Sequence, residues 1–231
     1  MSNRAFSLCI PFHTDQGARE RIFHWTLARW HALCPDAEIV IGADTSEGAL
    51  FNISRARNQA AQQATTDTLV FVDADAFLST PESLTRTISL LPAVGMAQFS
   101  SITWCNQMLT RAMLADCDPA RMREDYLCPE QQRRDYELHG LFFALTRQHY
   151  EHVNGFDEHF SGYGEEDRAF RCAILTLVGR IARIPNTIYH LWHPRGTDQD
   201  QRAPSLQANH ARLQRYRAAH GRPDLMRALI G

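Results

Sequence analysis

The sequence predicts a single α/β domain with a mixed, mainly parallel sheet flanked by helices and a C-terminal helical tail. Three observations predict this fold class. The chain has 231 residues, 44% hydrophobic and 22% charged, the size and composition of one soluble domain. Its first 41 residues read as strand, helix, strand, the pattern of a parallel sheet. A further apolar segment, Thr68–Val72, ends on two aspartates, at the place where α/β sheets bind ligands.

Strands are predicted where short apolar runs end at turn-forming or polar residues. In chain order they are at 6–10, 37–41, Thr68–Val72, 96–99, 141–145 and 181–191, the first stopped by Pro11 and the last interrupted at Pro185. The polar stretch 108–137 is predicted to be a helical or loop insertion over one face. The turn-rich stretch 194–204 is predicted to be a loop.

Helices are predicted from apolar residues at helical spacing and from residues that start helices. Spacing of this kind over 22–30 predicts the first helix. Ser54 is the predicted cap of a second helix with an alanine-rich inner face, and Thr80 caps a third, with Pro81 at its first position. Three more are predicted: one from Thr146 to Gly155, one from near Glu165, and a basic helix that closes the chain, most simply solvated and packed on the domain.

The composition excludes several classes of chemistry. All 24 Lys+Arg residues are arginine, so a Schiff base, a pyridoxal phosphate anchor and a P-loop lysine are excluded. A net charge of -2 gives no global basic field typical of a nucleic-acid binder. The six cysteines form no C-x-x-C pair, and no segment has the length of a signal sequence or membrane span, so we expect a reduced, cytoplasmic protein.

Asp73-Ala74-Asp75 directly follows the strand Thr68–Val72. Two acids two residues apart in extended chain point the same way, and a divalent cation such as Mg²⁺ or Mn²⁺ relieves their repulsion. The triplet alone is equally typical of an exposed acidic turn. Its place after a buried strand favours a metal site.

Glu166 and Asp167 begin a predicted helix whose apolar face includes Phe170. The simplest reason for acids in a first helical turn is the helix dipole. Glu166, however, lies four residues before Phe170 and shares its inward face, where an acid requires a partner or a catalytic task. The pair is therefore a candidate catalytic site.

His190 and His193 stand where the strand-like segment 181–191 gives way to a loop. A lone histidine is usually structural, whereas two of them three residues apart, in a chain with a D-x-D triplet, are candidate metal ligands. Both reach one metal only if the chain turns there.

These features, in this order, resemble the nucleotide-sugar glycosyltransferases of the GT-A fold. The resemblance is closest to the group with the galactosyltransferase C-terminal motif, which includes β1,4-galactosyltransferases and bacterial chondroitin-type polymerases. The segments that carry it span most of residues 5–195 and are 10–12, 51–58, 72–75, 155–158, 163–167 and 190–193. Tyr163, Gly164 and Glu165 replace the usual tryptophan and two glycines, and Ile53 replaces an arginine, which leaves the sugar and the acceptor open.

The resemblance implies a role for each matching residue. Asp73 and Asp75 would hold Mn²⁺ or Mg²⁺, and His193, with or without His190, would complete the metal shell. Asp167 would be the general base, with Glu166 beside it in the acceptor pocket. The other implied contacts are Pro11, Phe12, Phe51, Arg55, Asn58 and Ala74 for the donor, and Tyr163, Gly164 and Trp192 for the acceptor.

The resemblance also implies a Rossmann-like domain at 1–195, with a donor half at about 1–100 and an acceptor half at about 101–195. A flexible loop and a C-terminal helix would follow at 196–231, and the loop would close over bound donor. Without an anchor or stem, the chain resembles bacterial or phage members.

The implied function is metal-dependent, inverting transfer of a sugar from a nucleoside-diphosphate sugar, UDP favoured, to an acceptor hydroxyl. A glycan, a protein, a lipid-linked sugar and a modified DNA base all remain as acceptors. One alternative is a nucleotidyltransferase acting on sugar phosphates, which would need neither the acid pair nor the histidines. The other is a non-catalytic carbohydrate- or nucleotide-binding relic of the fold.

Overall fold

A computed structural model describes residues 5–45, 50–122, 127, 132–135, 140–162, 164–194 and 199–231, with the backbone alone at 132–135 and 199–203. In these residues helices pack on both faces of one sheet. None of the described helices is long and apolar enough to cross a membrane.

The sheet has eight strands within the described residues. They are β1 (Ser7–Pro11), β2 (Glu38–Gly42), β3 (Thr68–Val72), β4 (Ala76–Phe77), β5 (Met96–Cys105), β6 (Gln132–Asp135), β7 (Phe142–Thr146) and β8 (Ile181–His190). Their order is β2-β1-β3-β7-β5-β8-β4, with β6 beside β5. β1 is parallel to β2 and β3, and β5 to β8, whereas β7 is antiparallel to both β3 and β5. The sheet is mixed, as predicted, and the reversal at β7 makes it less parallel than the strand–helix–strand opening suggested.

Five of the described helices, the first three, the fifth and the sixth, begin close to the predicted positions. In chain order the described helices are α1 (Ala18–Leu33), α2 (Ile53–Gln63), α3 (Glu82–Ser89), α4 (Gln107–Asp116), α5 (Arg147–His152), α6 (Glu166–Leu177), α7 (Gln199–Ala219) and α8 (Pro223–Ile230). α5 follows Thr146 as predicted, and the Thr146 hydroxyl caps it by accepting a backbone N–H at 3.2 Å. The cap of α2 is Asn52, not Ser54, because the Asn52 side chain accepts the free N–H of Arg55. At α3 the cap position falls on Pro81, one residue after Thr80, and no side chain caps it.

Two apolar layers, one on each face of the sheet, form most of the core, and a smaller cluster includes Leu109 and Met113 of α4. Alternate residues of β3 divide between the two layers: Leu69 and Phe71 enter one layer, and Val70 and Val72 the other. The first layer also contains Leu213, Tyr216, Ala219 and Met226 from α7 and α8. The C-terminal helices therefore pack on the domain, as expected of a tail.

Three segments differ from their predictions. β8 continues through Pro185, because the register with β5 shifts there and the resulting bulge accommodates a residue without an N–H. The helix after Thr146 ends at His152, and residues 153–155 form a turn. The predicted loop at 194–204 is helical from Gln199 onward, since polar composition alone does not separate a loop from a solvent-facing helix. Residues 195–198 lie outside the described ranges, so closure over a donor stays a prediction.

Candidate active site

The two aspartates after β3 lie in a turn. The N–H of Ala76 donates to the carbonyl of Asp73 at 3.0 Å, which closes a turn over Ala74 and Asp75. Ala74 is buried, and its carbonyl accepts the hydroxyl of Thr26 at 2.5 Å. The extended backbone from which Asp73 and Asp75 were expected to point the same way is therefore absent, because the chain turns at these residues. The two carboxylates have different partners.

Asp75, His190 and His193 form a cluster of metal-binding side chains. Nε2 of His190 lies 3.1 Å from Oδ1 of Asp75, and Nε2 of His193 lies 3.1 Å from Oδ2. β4 pairs with the end of β8, and the N–H of Leu191 donates to the Asp75 carbonyl at 2.9 Å, which fixes the turn beside the histidines. Because the strand ends at His190, both histidines reach the same carboxylate.

Burial and charge act in opposite directions on this cluster. Burial alone would raise the pKa of Asp75, but the neighbouring His190 and His193 outweigh it and hold that pKa well below its usual range. Burial lowers the pKa of His190, and the carboxylate of Asp75 more than reverses this. Asp75 is therefore an anion at neutral pH.

The cluster has the composition and spacing of a divalent-cation site. One carboxylate oxygen and two imidazole nitrogens lie within 4.8 Å of one another, and Asp73 is not among these ligand atoms. The buried Oδ1 of Asp75 makes no hydrogen bond of normal geometry, so it has lone pairs for a cation. Mg²⁺ prefers oxygen ligands alone, and a mixed set of imidazole and carboxylate fits Mn²⁺ better.

Arg57 of α2 connects Asp73 to the acid pair of α6. Its guanidinium donates to Oδ1 of Asp73 at 3.0 Å, to Oε1 of Glu166 at 3.1 Å and to the carbonyl of Gly140 at 3.3 Å. It also lies over the ring of Phe156, 5.0 Å from the centroid. The side chain is only 2% exposed, so a buried cation joins two acids that are far apart in the sequence.

Glu166 is buried, as its spacing from Phe170 predicts. Burial raises the pKa of Glu166 to about 7, and the neighbouring Asp167 adds to this shift while Arg57 opposes it. Burial also raises the pKa of Asp73, although Arg57 opposes the shift there too. The partner that an inward acid requires is Arg57.

Asp167 stands in the first turn of α6 and is half-buried. Its Oδ1 accepts the N–H of Arg168 at 2.7 Å. Gly140 lies directly against it: a β-carbon at position 140 would be 3.1 Å from Oδ2 of Asp167, and the φ of +95° there favours glycine. The backbone before β7 thus approaches Asp167 in a way that a larger residue would prevent.

The segment before α6, predicted to bind the acceptor, has an unusual backbone. Gly164 and Glu165 both adopt left-handed conformations, with φ of +86° and +78°. For glutamate this conformation is strained, and neighbouring structure must maintain it. Asn209 of α7 contributes by donating to the carbonyl of Gly164 at 3.0 Å. Tyr163 lies outside the described residues, and its acceptor role stays a prediction.

Two tryptophans border the metal-binding cluster. Trp192, predicted to bind the acceptor, is 37% exposed, and its backbone N–H donates to the hydroxyl of Thr110 at 2.8 Å. Trp104, at the end of β5, is also 37% exposed, and its ring centroid lies 4.3 Å from that of His190.

The residues predicted to contact the donor nucleotide begin at the carboxyl end of β1. Pro11 is the last residue of β1, and Phe12 stacks on Phe23 of α1 with ring centroids 3.9 Å apart. Phe51, just before α2, stacks on His13 with centroids 5.3 Å apart. The contact of these residues with a nucleotide stays a prediction.

Asn58 and Arg55 hold the turn at 155–158. The amide nitrogen of Asn58 donates to the carbonyl of Phe156 and to Glu158, and its oxygen accepts the Tyr150 hydroxyl and the Phe156 N–H. All four hydrogen-bonding positions of the amide are used. The side chain therefore has no free group for the predicted donor contact, and its role is structural. Arg55 lies 3.4 Å from Glu158 and is 42% exposed, so a contact with the donor remains a prediction for it.

Asp157 anchors α7 to the domain. Its Oδ2 accepts the guanidinium of Arg212 and the hydroxyl of Tyr216, and its Oδ1 accepts the N–H of His159 at 3.0 Å. Burial alone would raise the pKa of Asp157, but these hydrogen bonds outweigh it and leave the pKa below its ordinary value.

We expect Asp157→Asn to lower the free energy of unfolding at pH 7 by about 2–3 kcal/mol, because charged hydrogen bonds are lost and Arg212 loses its partner. A carboxyl whose pKa is depressed by folding stabilises the protein above its unfolded pKa, and this contribution is lost as the pH falls through the folded value. The difference from the wild type should therefore shrink below about pH 4. Urea unfolding at pH 7 and pH 3 measures it, and an equal deficit at both pH values would contradict the assignment.

Three residues of the site are not among the sequence-predicted site residues. The sequence contains a feature from which the role of Arg57 could have been predicted. Arg57 lies on the same helix face as Ala60 and Ala61, and an arginine on such an inward face is as unusual as the inward-facing Glu166. For Gly140 and Trp104 the sequence contains no such feature. Trp104 lies beyond the predicted strand at 96–99, and only the pairing of β5 with β8 places it beside a histidine.

Part of the chain matches a known family. Residues 129–195 match the family model described as the N-terminal domain of galactosyltransferase. This region includes β7, α6 and β8, and hence the acid pair and both histidines. No curated protein sequence gives a significant match.

Solved structures with the same fold are glycosyltransferases. A mutant of Drosophila β1,4-galactosyltransferase 7 with manganese, UDP-Gal and xylobiose aligns with a TM-score of 0.55 and 15% identity, over 85% of this chain and 78% of that one. A mannosyltransferase from Pyrobaculum calidifontis with GDP-Man and Mn²⁺ gives 0.53 and 17%, over 97% and 73%. Glucosyl-3-phosphoglycerate synthase from Mycobacterium tuberculosis with Mn²⁺, UDP-glucose and phosphoglyceric acid gives 0.52 and 12%, over 95% and 80%. The chain therefore has the predicted GT-A fold of nucleotide-sugar glycosyltransferases, and its residues 129–195 carry the segment that the galactosyltransferase family model describes.

Proposed function

We propose that the chain is a metal-dependent glycosyltransferase that moves a sugar from a nucleoside-diphosphate sugar to an acceptor hydroxyl with inversion. The observation that carries this proposal is the position of Arg57 between Asp73 and Glu166. This bridge joins the turn of the metal-binding cluster to the acid pair, so a cation site and a candidate base belong to one site. The GT-A fold and the family match over 129–195 support the same reaction class.

Asp75, His190 and His193 would hold the cation, with Asp73 beside them. A divalent cation there supplies positive charge that neutralises a leaving diphosphate. The three compared structures contain manganese together with a nucleotide sugar, which supports Mn²⁺ over Mg²⁺. Because the chain has no lysine, the remaining phosphate contacts must come from arginine or backbone amides.

Asp167 is the proposed general base. A sugar hydroxyl is a poor nucleophile until a carboxylate within hydrogen-bond reach removes its proton. Asp167 is half-buried and faces Gly140, whereas the carboxylate of its neighbour Glu166 is turned toward Arg57. A single displacement by the acceptor activated at Asp167 inverts the anomeric carbon. Glu166 is the second acid of the acceptor pocket.

The proposed donor half, about 1–100, carries Pro11, Phe12, Phe51 and Arg55, and the acceptor half, about 101–195, carries the segment before α6 and Trp192. UDP-sugars are the first donors to test, because two of the three compared structures contain a UDP-sugar. Acceptor hydroxyls on glycans, proteins, lipid-linked sugars and modified DNA bases all fit this chemistry. Five cysteines within the described residues are free thiols, which supports a reducing compartment. The proposed location is the cytoplasm of a bacterium or of a phage-infected cell.

A thermal-shift panel tests the donor site. UDP-, GDP-, CDP- and dTDP-sugars are added with Mn²⁺ or with a chelator. We expect one nucleotide family to raise Tm only in the presence of Mn²⁺, because a ligand that binds only the folded state stabilises it. If no donor gives a metal-dependent shift, the proposed donor site is wrong.

Single substitutions should distinguish the proposed metal ligands from Asp73 by their effect on Mn²⁺ affinity. We expect Asp75→Asn and His193→Ala each to weaken Mn²⁺ binding by at least about tenfold, measured by calorimetry without nucleotide, because each removes one of three converging ligands. Asp73→Asn is the matched control and should stay within about threefold, since Asp73 is bonded to Arg57. Equal losses for the two aspartates would instead mean that both hold the ion.

A further inference from the structure

We propose that Trp104 is an acceptor-binding residue whose indole ring stacks on a pyranose sugar. The inference rests on the proposed glycosyltransferase function and adds the class of acceptor, a cyclic sugar. Exposure is the first observation: Trp25 and Trp30 are buried and donate their indole N–H to backbone carbonyls, whereas Trp104 and Trp192 are each 37% exposed.

Trp104 is packed against a residue of the proposed metal site. In the parallel register of β5 and β8 it is paired with His190, which puts both side chains on the same face of the sheet. Their ring centroids are 4.3 Å apart, and their planes are inclined by 47°. His190 in turn contacts Asp75 and His193. The exposed part of the indole therefore borders the space beside the cluster.

The position of β5 in the sheet favours the acceptor over the nucleobase. β5 is the third strand from β1 in the order β1-β3-β7-β5. Strands lie about 4.8 Å apart, so β5 is roughly 14 Å from β1. Pro11 and Phe12, which are predicted to line the nucleotide site, lie at the end of β1, and one base is too small to contact them and Trp104 together. β7, which follows Gly140 and hence the contact with Asp167, is the direct neighbour of β5.

The chemistry of the indole ring fits a sugar ring. A pyranose presents C–H groups on its face and hydroxyls at its edge, and an aromatic face with its negative quadrupole attracts such C–H groups. The side chains of Arg57, Asp73, Asp75 and Glu166 are ionic and offer hydrogen bonds but no apolar surface. Trp104 supplies that surface while leaving the hydroxyls free to reach the acids. Acyclic polyols have no such face and gain nothing from the ring.

Tryptophan fluorescence tests the inference directly. The background variant is Trp192→Phe, in which Trp104 is the remaining exposed tryptophan of the four. The probes are the methyl β-glycosides of galactose, glucose, xylose and N-acetylglucosamine, added in the presence of UDP and Mn²⁺, and sorbitol is the acyclic control. We expect at least one glycoside to change the emission saturably, sorbitol to change it little, and Trp104→Leu in the same background to abolish the response.

Transfer from a UDP-sugar to the responding glycoside then gives the kinetic effect. In the otherwise wild-type chain, Trp104→Leu should raise the KM for the glycoside roughly tenfold, the size of one lost aromatic contact, and leave the KM for the donor within about twofold. Trp104→Phe, which retains a ring, should lie between Trp104→Leu and the wild type. Leu225→Ala, at an exposed leucine of α8, is the control for an unchanged KM.

Two results would overturn the inference while the proposed function stands. One is a metal-dependent thermal shift with donor but no response of Trp104 to any glycoside. The other is a Trp104→Leu variant that binds Mn²⁺ more than threefold weaker yet has the wild-type KM for the glycoside, which would make Trp104 only a packing support for His190. Absence of the metal-dependent shift in the wild type would overturn the proposed function and this inference with it.

Discussion

Asp167→Asn is expected to lower the rate of sugar transfer by about 10²–10⁴-fold, the usual contribution of a general base, and to leave donor binding nearly unchanged. Asparagine has the same shape as aspartate, and its side-chain oxygen can still accept the N–H of Arg168, so the first turn of α6 is retained. An amide cannot take a proton from an acceptor hydroxyl. The change therefore removes the proposed chemistry and little else.

The measurement is transfer of labelled sugar from the donor that gives the metal-dependent thermal shift. Asp224→Asn is the matched control, because Asp224 is also an aspartate in the first turn of a helix but is exposed on α8. The control should transfer at the wild-type rate. Transfer by Asp167→Asn within about threefold of the wild type would refute its role as base, and a large loss in Glu166→Gln alone would move that role to Glu166.

Arg57→Met is expected to lower the free energy of unfolding by about 3–5 kcal/mol, the cost of removing one partner from a buried ion pair. The guanidinium is 2% exposed and bonds to Asp73 and Glu166 at 3.0 and 3.1 Å. Without it, the buried carboxylate of Glu166 and the half-buried carboxylate of Asp73 are left close together with no cation between them. The pKa of Glu166 is raised to about 7 even with Arg57 present, so the loss should raise it further.

The stability deficit of Arg57→Met is expected to depend on pH. A carboxyl whose folded pKa is raised destabilises the folded state while it is ionised, and this cost disappears as the pH falls through that pKa. Because the pKa of Glu166 is about 7 in the wild type and higher in Arg57→Met, the deficit of the variant should shrink as the pH falls from alkaline values toward 7. Adding Glu166→Gln should recover part of the loss at pH 7. Arg55→Met is the matched control, since Arg55 is 42% exposed and should cost less than about 1 kcal/mol. Denaturant unfolding of the four proteins measures these differences, and similar losses for Arg55→Met and Arg57→Met would contradict the buried bridge.

Several strands and helix faces could be predicted because they depend on residues close together in the sequence. The strand Thr68–Val72 is predicted to the residue, since a short apolar run between polar ends forms one buried strand. Glu166 turns inward because helical spacing from Phe170 leaves it no other face. The proximity of His190 to His193 also follows from position, since the strand ends at the first of the two histidines and the chain can turn before the second.

Contacts between distant segments could not be predicted in the same way. The position of Asp75 beside the histidines depends on the pairing of β4 with β8, and nothing near Asp75 in the sequence shows this pairing. The use of Asn58 depends on the turn at 155–158, which the fold brings against α2. For Arg57, only part of the environment could be predicted. Its inward position follows from the helix face, but its contacts with two distant acids do not.

The packing of α7 and α8 determines how much of the chain is needed for a stable fold. The family match stops at residue 195, and a polypeptide that ended there would retain every residue proposed for chemistry and for the cation. It would also lack Leu213, Tyr216 and Met226, which fill the same layer as Phe156 and Phe170, and Asp157 would lose its arginine. Large aromatic surfaces would then face water and other copies, a condition that promotes precipitation. The segment that matches the family model is therefore shorter than the segment that folds as a unit. The helices α7 and α8 lie outside the family match but are part of the folded domain.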